Sequence, residues 1–474
     1  MKKHYVCLLL VLSFLISPVA HAQKKVRIAC VGNSITYGSR LAQREKDSYP
    51  AQLQTMLGSG YDVLNFGVSG KTVLQHTVNS YMATTAYQDA LKSNPDLVFI
   101  KLGTNDSRLP YRLQIDTFAT DYKTLIHSFR GLPSHPRVVL LLPVASFLTD
   151  TTRQTEKAIS QLILPRIRQV AFDEKCELID LHSLFLNHLN YFPDQLHPNE
   201  AGATIIAKRL QEAVVSQEEK GFDFFSKIKE PVTISSFYGY DCADFSLAGR
   251  ACKVVKPRRP AKGLPWIWRA RFWGHEPQTD IALLDRGFHL VYCDVVELFG
   301  NDQAVTAWND FYAFARKAGL AKKVALEGLS RGGVYSYNWA LANPEKVACV
   351  YADAPVLDLK SWPGGKGQAK ASPADWEIFK KDYGFQSDQA AMAFKGNPID
   401  RVAEIVKGHY PLLHVVGDAD DAVPISENTT PFEQKVKELG GQIQVIHKPG
   451  IGHHPHSLPD PTPIVEFILK ATYP

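Results

Sequence analysis

A short apolar run at residues 26–31 is followed at once by the turn sequence Gly32-Asn33-Ser34. An apolar run of this length that ends in small and polar residues is typical of a buried strand entering a tight turn. The turn would present Ser34 at the carboxyl end of the strand, where open α/β sheets place their ligand sites. Because a serine hydroxyl is a weak nucleophile, a catalytic role for Ser34 requires a histidine base and a carboxylate that orients it.

The residues that would complete this first site lie further along the chain. Asp194 and His197 are three residues apart, so one loop can supply both the orienting carboxylate and the general base. Gly70 and Asn105 follow the second and third predicted strands, at residues 62–68 and 96–102. The backbone amides of Ser34 and Gly70 and the side-chain amide of Asn105 are therefore expected to bind the oxyanion of a tetrahedral intermediate.

These pieces resemble the motifs of the SGNH (GDSL-type) hydrolases, and the resemblance covers roughly residues 24–216. The catalytic residues of that family have counterparts here in the same order: Ser34, Gly70, Asn105 and His197. Asn33 stands where many members carry aspartate, at a position outside the catalytic set. The resemblance implies a flavodoxin-like α/β fold and the hydrolysis of acyl esters.

A second apolar run, at residues 324–329, leads into a Gly-x-Ser-x-Gly sequence centred on Ser330. A helix-like segment follows, which is the context of a nucleophile elbow, where small residues flank a serine on a strained turn. From about residue 232 to the end, the chain therefore resembles the α/β-hydrolases. The resemblance implies that an acid and then a histidine follow Ser330 in the sequence.

The acid of this second site is expected after a strand-like run at residues 412–417. The sequence there is similar to the Gly-x-x-Asp-x-x-Val-Pro frame in which the family acid often occurs, and this frame selects Asp420 over Asp418 and Asp421. Asp353 is a rival, because serine followed by arginine also occurs in glucuronoyl esterases, some of which place the acid after an earlier strand.

The second histidine and the oxyanion donors are chosen in the same way. His453 lies in a Gly-Ile-Gly-His sequence that resembles the family's histidine loop, and it is preferred over the two later histidines. One oxyanion donor is expected to be the amide of Arg331. The other is expected from the loop after residues 266–268, near Ala270 or Arg271. The chain departs from the family there, since Arg269-Ala270-Arg271 replaces the usual His-Gly.

Predicted strands alternate with predicted helices in both halves of the chain. This alternation predicts two α/β domains, each a mostly parallel sheet with helices on both faces. The second domain is expected to begin with an antiparallel hairpin formed by 232–245 and 250–256. The expected organisation is a signal peptide at 1–22, an SGNH domain at 24–216, a linker at 217–231 and an α/β-hydrolase domain at 232–474 with a cap at about 357–409.

The first residues have the pattern of a secretory signal peptide. A basic start precedes an apolar stretch at 6–19, and small residues around Ala22 provide a cleavage site. The apolar stretch is short for a membrane span. We therefore expect a periplasmic or secreted protein without a membrane anchor after cleavage, in which Cys242 and Cys252, placed about a predicted turn, are candidates for a disulfide.

Charge and ligand spacing limit the class of function. The formal net charge is +5 in 474 residues and is not gathered into Lys/Arg runs, which argues against nucleic-acid binding. Histidines and cysteines show no metal-ligand spacing, so no metal or organic cofactor is expected.

Several side chains of the second domain favour a carbohydrate substrate. Trp362 and Trp376, in the expected cap, are candidates for stacking on a sugar, and Arg269, Arg271 and Arg331 are candidates for binding a carboxylate such as a uronate or a sialate. The sequence thus predicts a serine esterase that removes O-acyl groups, in particular O-acetyl groups, from complex carbohydrate. The alternatives are a lipase or thioesterase, and a single-site esterase whose second domain only binds glycan.

Overall fold

The computed structural model describes residues 25–473, so the predicted signal peptide lies outside the described residues. The first sheet is entirely parallel and has the strand order β2-β1-β3-β4-β5. Its strands are β1 Val26–Gly32, β2 Tyr61–Gly67, β3 Leu97–Lys101, β4 Arg137–Leu141 and β5 Glu177–Ile179. This is the order of flavodoxin-like sheets, as the sequence predicts.

Helices cover both faces of the first sheet. They are α1 Ser34–Tyr37, α2 Arg44–Asp47, α3 Tyr49–Leu57, α4 Thr85–Lys92, α5 Phe118–Arg130, α6 Glu156–Ala158, α7 Leu164–Glu174 and α8 Glu200–Val215. In β1, Ile28 and Cys30 pack into one apolar cluster, while Ala29 and Val31 pack into another. Because both faces of the strand are buried, β1 reads as one continuous apolar run.

The second sheet has nine strands in the order β14-β13-β12-β11-β9-β10-β8-β7-β6. Its parallel part comprises β9 Trp266–Arg269, β10 His289–Cys293, β11 Val324–Leu329, β12 Val347–Asp353, β13 Leu412–Gly417 and β14 Ile443–Lys448. The antiparallel part comprises β6 Thr233–Phe237, β7 Tyr240–Leu247 and β8 Arg250–Lys256. The α/β class expected for both halves is therefore confirmed.

The helices of the second part connect its parallel strands, except for the last helix, which follows the last strand. They are α9 Gln278–Leu284, α10 Asp302–Ala318, α11 Gly332–Ala342, α12 Pro373–Tyr383, α13 Asp388–Met392, α14 Val402–Lys407, α15 Thr429–Glu438 and α16 Thr462–Thr472. Three of them, α12 to α14, lie between β12 and β13, in the segment expected to form a cap. No helix within residues 25–473 is long and apolar enough to cross a membrane.

The predicted hairpin at the start of the second sheet is wrong in one respect. The first of its two predicted strands is divided by a turn at Tyr238 and Gly239, so three antiparallel strands replace two. Both turn residues have positive φ, +49° and +100°, as tight hairpin turns require. Tyrosine is an unusual residue for the first of these positions. Only Gly239 is a residue typical of such a turn, so the turn is hard to predict from the sequence.

The proposed pairing of Cys242 with Cys252 is also wrong. Across β7 and β8, Cys242 lies opposite Val255, because the turn is centred further along the chain than the prediction assumed. Cys252 lies opposite Cys293 of β10 instead. All six cysteines of the described chain are buried and free.

The two halves pack closely against each other. The Tyr240 hydroxyl donates a hydrogen bond of 3.1 Å to the backbone oxygen of Leu178. Arg209 of α8 forms an ion pair of 2.7 Å with Asp285, and both side chains are buried. The segment expected to be a linker takes part in this packing, since Phe224 is fully buried in the apolar cluster of the second half.

Candidate active sites

The first candidate nucleophile lies on a turn that only small residues fit. Asn33 is fully buried and forms the N-cap of α1, with its side-chain oxygen 3.2 Å from the amide of Ile35. A Cβ atom at Gly32 would lie only 2.1 Å from Oγ1 of Thr36. Glycine is therefore needed where the strand passes closest to the helix, and this close passage presents Ser34 at the end of β1.

Ser34, His197 and Asp194 form a continuous chain of hydrogen bonds. The Ser34 Oγ lies 2.9 Å from His197 Nε2, and His197 Nδ1 lies 2.7 Å from Asp194 Oδ2. Because a carboxylate only accepts, Nδ1 donates to Asp194 and Nε2 is left to accept from the serine hydroxyl. Burial opposes ionisation of Asp194, but hydrogen bonds from the amide and ring of His197 outweigh it and lower the pKa of Asp194.

The candidate oxyanion donors lie at the ends of the neighbouring strands. Gly70 follows β2 with a φ of +79°, and Asn105 follows β3. Asn105 Nδ2 donates a hydrogen bond of 2.9 Å to the backbone oxygen of Lys71. The second hydrogen of this amide nitrogen is free to point into the site. Both residues line the same cavity as Ser34 and His197.

Two residues support this arrangement and were not found from the sequence. Gln154 is buried and donates a hydrogen bond of 2.9 Å to Asn105 Oδ1, which fixes which way the amide points. Asp106 accepts from the amides of Val73 and Leu74 and so ties down the loop after Gly70. Burial raises the pKa of Asp106 to about 7. No local motif marks Gln154, because its partner is 49 residues away.

The second candidate nucleophile lies on a strained turn. Ser330 follows β11 and has a φ of +50°, an unfavourable conformation for a residue other than glycine. Its amide donates a hydrogen bond of 2.7 Å to Asp353 O. A Cβ atom at Gly328 would lie 2.7 Å from the backbone oxygen of Gly332. This close contact between strand and helix is the geometry of a nucleophile elbow.

Asp420, and not Asp353, lies beside the histidine of the second site. The Ser330 Oγ is 2.9 Å from His453 Nε2, and His453 Nδ1 is 2.7 Å from Asp420 Oδ2. The other oxygen of Asp420 accepts from the amides of Ala422 and Val423. This geometry repeats that of the first site with residues from different loops.

Asp353 holds a different histidine. Its carboxylate is fully buried and accepts hydrogen bonds from His456 Nδ1 at 2.9 Å, from the Ser457 amide at 2.8 Å and from the Tyr351 hydroxyl at 3.0 Å. With three donors directed at it, Asp353 anchors the end of the histidine loop rather than the ring of His453.

The contacts narrow the choice of oxyanion donors in the second site. The amide of Ala270 donates a hydrogen bond of 2.9 Å to the backbone oxygen of Glu327, so it is already used. Within residues 25–473 the amide of Arg271 has no such partner, and it lies 3.9 Å from a Cβ atom placed on Gly332. Arg271 is therefore the better candidate to act together with the amide of Arg331.

Arg269 is not available to a substrate. It is fully buried and paired with Asp280 and, at 3.2 Å, with Glu327 beneath the elbow. The cost of burying Glu327 and the nearby charge of Asp280 raise the pKa of Glu327 well above its usual value. The expectation that Arg269 binds a carboxylate of the substrate is therefore wrong, because its charge is already balanced inside the protein.

Arg331 and Trp362 remain near the second site. Arg331 Nη1 is 2.7 Å from Asp375 of the cap segment, and its guanidinium lies 5.8 Å from the centre of the Trp362 ring. Burial and the neighbouring charge of Arg271 lower the pKa of Arg331. Trp376 is 8% exposed and packs against Phe379, so the expectation that Trp376 presents a sugar-stacking surface is wrong.

The fold brings together side chains that could hold a metal ion, although their sequence spacing does not show it. One ligand atom from each of His275, Glu276 and His454 falls within 4.8 Å of the others. A second group of this kind consists of His453, His454 and His456. The second group contains the histidine that contacts Ser330, so a metal bound there would compete with the serine for that ring.

Family models match both halves of the chain. Residues 30–205 match the GDSL-like lipase/acylhydrolase family, and residues 304–467 match the prolyl oligopeptidase family. The chain is also 37% identical over 214 residues to an acetylxylan esterase of Xylanibacter ruminicola. That match covers 41% of this chain and 44% of the relative, so the chain spans less than half of the relative's length.

Solved structures resemble about half of the chain. Est1E from Butyrivibrio proteoclasticus is 16% identical, with a TM-score of 0.37, and covers 49% of this chain and 99% of its own. An S-formylglutathione hydrolase from Agrobacterium tumefaciens is 14% identical, with a TM-score of 0.37, and covers 51% and 96%. The strand order, the two hydrogen-bond chains and the family matches identify the two domains. The chain therefore contains a GDSL-like hydrolase domain followed by an α/β-hydrolase domain.

Proposed function

We propose that this protein is an esterase with two serine sites that removes O-acyl groups, in particular O-acetyl groups, from complex carbohydrate. One observation carries the proposal. Each domain aligns a serine, a histidine and an aspartate in hydrogen-bond contact, with Ser34 2.9 Å from His197 and Ser330 2.9 Å from His453. This is the arrangement that turns a weak hydroxyl nucleophile into a strong one.

The mechanism would be the same in both sites. In the first half reaction, the serine oxygen attacks the ester carbonyl, His197 or His453 accepts the hydroxyl proton, and the sugar leaves with that proton. In the second half reaction, the same histidine accepts a proton from water as the water oxygen attacks the acyl-enzyme. The bond from the acyl carbon to the serine oxygen then breaks, the histidine returns its proton to that oxygen, and the free acid is released. Asp194 and Asp420 keep Nδ1 of their histidines protonated, so that Nε2 is ready to accept in each half reaction.

The tetrahedral intermediate of each half reaction carries a negative oxygen. In the first site we assign this role to the Asn105 side-chain amide and the backbone amides of Ser34 and Gly70, and the support is that all three residues line the cavity. In the second site, the amides of Arg331 and Arg271 take this role. Removing one such donor typically slows catalysis by about 10²- to 10³-fold.

The substrate class is supported by the relative and by the open form of the first site. The matched relative is an acetylxylan esterase, which supports an acetylated carbohydrate here. The cavity over Ser34 has a volume of about 500 Å³ and is lined mainly by polar side chains. A long acyl chain would need an extended apolar wall, so the alternative of a lipase or thioesterase is less well supported.

Peptide-bond hydrolysis is a second candidate activity, for the second domain only. The match of residues 304–467 to the prolyl oligopeptidase family favours hydrolysis of a peptide bond at Ser330. The chemistry requires the same serine, histidine and aspartate, so the site geometry does not separate the two. A further alternative is that this domain only binds glycan, and in that case Ser330 would be dispensable for hydrolysis.

The experiment compares the wild-type protein with Ser34→Ala, Ser330→Ala and the double variant. Acetate release is measured from acetylated xylan, acetylated pectin and an acetylated sialoglycan, and chromophore release is measured from 4-nitrophenyl acetate and from aminoacyl 4-nitroanilides. We expect each single variant to lose a different part of the activity and the double variant to lose all of it.

Other outcomes separate the alternatives. Release of nitroaniline that depends on Ser330 would identify the second domain as a peptidase. If Ser330→Ala matches the wild-type protein on every substrate while deletion of residues 232–474 weakens polysaccharide binding, the glycan-binding alternative holds. Ser128→Ala is the matched control, because Ser128 lies on α5, outside both sites, and its hydroxyl donates only to the carbonyl of Leu125.

We further propose that the protein is exported, so that it meets its polysaccharide in the periplasm or outside the cell. The support is the signal-peptide pattern of residues 1–22. Expression of the full chain in its host, followed by fractionation and N-terminal sequencing, tests the proposal. A mature chain that begins at Gln23 supports it, and a cytoplasmic chain that keeps Met1 contradicts it.

A further inference from the structure

The cavity over Ser34 is lined by three arginines and, among the residues described as lining it, by no carboxylate. Arg40, Arg108 and Arg153 share this lining with Ser34 and His197. The charge is therefore of one sign on the side from which a substrate approaches the serine. A concave site lined by one sign of charge concentrates the electrostatic potential and attracts ligands of the opposite sign.

The cavity next to α10 in the second domain provides a comparison. It has a similar volume, about 570 Å³, but its lining contains Arg401 together with Asp302 and Asp382. The charges of that lining are thus of both signs. The uniform positive lining over Ser34 is a property of that site and does not follow from the overall charge of +5.

Most of the positive charge of the arginines over Ser34 is not neutralised by nearby carboxylates and is available to an anionic ligand. Within residues 25–473, neither Arg108 nor Arg153 has a carboxylate within 4.0 Å, although, in addition to hydrogen bonds from its own loop, the charge of Arg153 contributes to lowering the pKa of the exposed Asp150. The guanidinium carbon of Arg108 lies 5.5 Å from the centre of the Tyr111 ring. Arg40 approaches Asp194 at 3.7 Å, but its side chain is 77% exposed. Such a contact is weak in solvent, so Arg40 can turn to a bound anion at little cost.

The rest of the lining suits a sugar. Tyr37, Ser39 and Ser69 line the cavity, and their hydroxyl groups are able to hydrogen-bond to sugar hydroxyls. A neutral sugar would use these groups and leave the three guanidinium groups facing water. A sugar that carries a carboxylate would use both sets, since a guanidinium binds a carboxylate through two parallel hydrogen bonds.

We propose that the first site hydrolyses O-acyl esters of an acidic sugar, which Arg108 and Arg153, with Arg40 at the rim, bind through its anionic group. This inference rests on the proposed esterase function and specifies the substrate class of the first site. The anionic group is a carboxylate, as in a hexuronic or sialic acid; a sulfated sugar shares the same chemistry, and the test distinguishes the two.

The test uses Ser330→Ala protein, in which only the first site is expected to act. Acetate release is followed from an O-acetylated methyl glucuronoside and from the matched compound in which a carboxamide replaces the carboxylate. We expect kcat/KM to be about tenfold or more higher for the acid, the usual scale for a hydrogen bond to a charged group. The ratio should fall towards one in about 1 M salt, where the Debye length is about 3 Å.

Arginine variants show whether the preference comes from these side chains. Arg108→Ala and Arg153→Ala are expected to lower the ratio of kcat/KM between acid and amide, and Arg153→Lys to restore part of it. Arg166→Ala is the control, because Arg166 lies on α7, outside the cavity, and its guanidinium donates to the carbonyl of Leu162. The ratio should be unchanged in Arg166→Ala.

Two further measurements keep this inference separate from the proposed function. Hydrolysis of 4-nitrophenyl acetate by the Ser330→Ala protein establishes that the first site is an esterase; if neither it nor any acetylated sugar is hydrolysed, the proposed function fails. If the aryl ester is hydrolysed but the acid and amide react equally well, the function stands and the inference is wrong. Inhibition by glucuronate supports a carboxylate ligand, whereas inhibition by sulfate alone, without preference for the acid, overturns it.

Discussion

The side chain of Gln154 donates a hydrogen bond of 2.9 Å to Asn105 Oδ1, across 49 residues of sequence. Because Gln154 Nε2 is a donor, the oxygen of the Asn105 amide faces it. The amide nitrogen of Asn105 therefore points towards the backbone oxygen of Lys71 and the cavity. An oxyanion donor is effective only if it is held in place before the reaction starts. Gln154 is thus a positioning residue for the first site.

We expect Gln154→Ala to lower kcat at the first site by about tenfold to 10²-fold, less than the loss of the donor itself. KM should change little, because the amide acts mainly on the intermediate. The measurement is the hydrolysis of 4-nitrophenyl acetate by the variant in a Ser330→Ala background. Gln169→Ala, which removes an exposed contact on α7, is the control. An unchanged kcat would mean that Asn105 holds its orientation without Gln154.

The two aspartates of the second domain should respond differently to removal of their charge. Asp420→Asn removes the acceptor for His453 Nδ1, so we expect kcat at the second site to fall by about 10⁴-fold while the protein stays folded. Asp353→Asn disturbs a fully buried carboxylate with three donors, so we expect a lower melting temperature.

The assay for this pair uses the Ser34→Ala background and the substrate found for Ser330. Thermal unfolding of each variant is measured in parallel, to separate activity from stability. A large loss of kcat in Asp353→Asn at a normal melting temperature would reverse the assignment of the acid.

Lys101 should make stability depend on pH. Its side chain is fully buried, and among the described residues Nζ has no hydrogen-bond partner. Burial lowers the pKa of Lys101 from 10.5 to about 7. The unfolded chain therefore binds more protons than the folded chain between about pH 7 and pH 10.5, and stability rises with pH in that range. The penalty for burying Lys101 is complete below about pH 7.

Lys101→Met removes this penalty. We expect the variant to be more stable than the wild type at pH 6, by an amount on the order of a few kcal/mol, and the difference to shrink towards pH 10. Denaturant unfolding at several pH values measures both quantities. Lys92→Met, at an exposed position, should show no such trend. An equal difference at every pH would show that Lys101 has the same pKa in the folded and unfolded chains, so that burial does not lower it.

The ion pair between Arg209 and Asp285 should couple the stability of the two domains. Both groups are buried, and Asp285 also accepts a hydrogen bond from the amide of Asp180 at 3.3 Å. Replacing one partner leaves a buried charge without its counterion, so Arg209→Met should cost about 3–5 kcal/mol. The double replacement with Asp285→Asn should cost less than Arg209→Met alone.

Calorimetry tests this coupling. A single unfolding transition in the wild type that separates into two in Arg209→Met would show that the pair joins the domains. Arg166→Met serves as the surface control. A loss below about 1 kcal/mol would mean that Arg286, which also lies beside Asp285, replaces Arg209.

Most of the fold could be predicted because its signals are local. The buried parallel strands, such as β1 and β11, are short apolar runs, and each is followed by the small residues that its turn requires. The turn at Tyr238 was missed because a tyrosine in the left-handed region carries no sequence signal of its own. The register that separates Cys242 from Cys252 depends on that same hairpin geometry, and spacing alone does not determine it.

The serine, histidine and aspartate of each site could be found from the sequence, since these residues lie in motifs at strand ends. Which partner each of them contacts depends on the tertiary structure. It placed Asp420 beside His453 and Asp353 beside His456, buried Arg269 with Glu327, and brought Gln154 to Asn105. The physical reason is that a hydrogen bond depends on a distance of about 3 Å between atoms, and parallel strands bring together loops that are far apart in the chain.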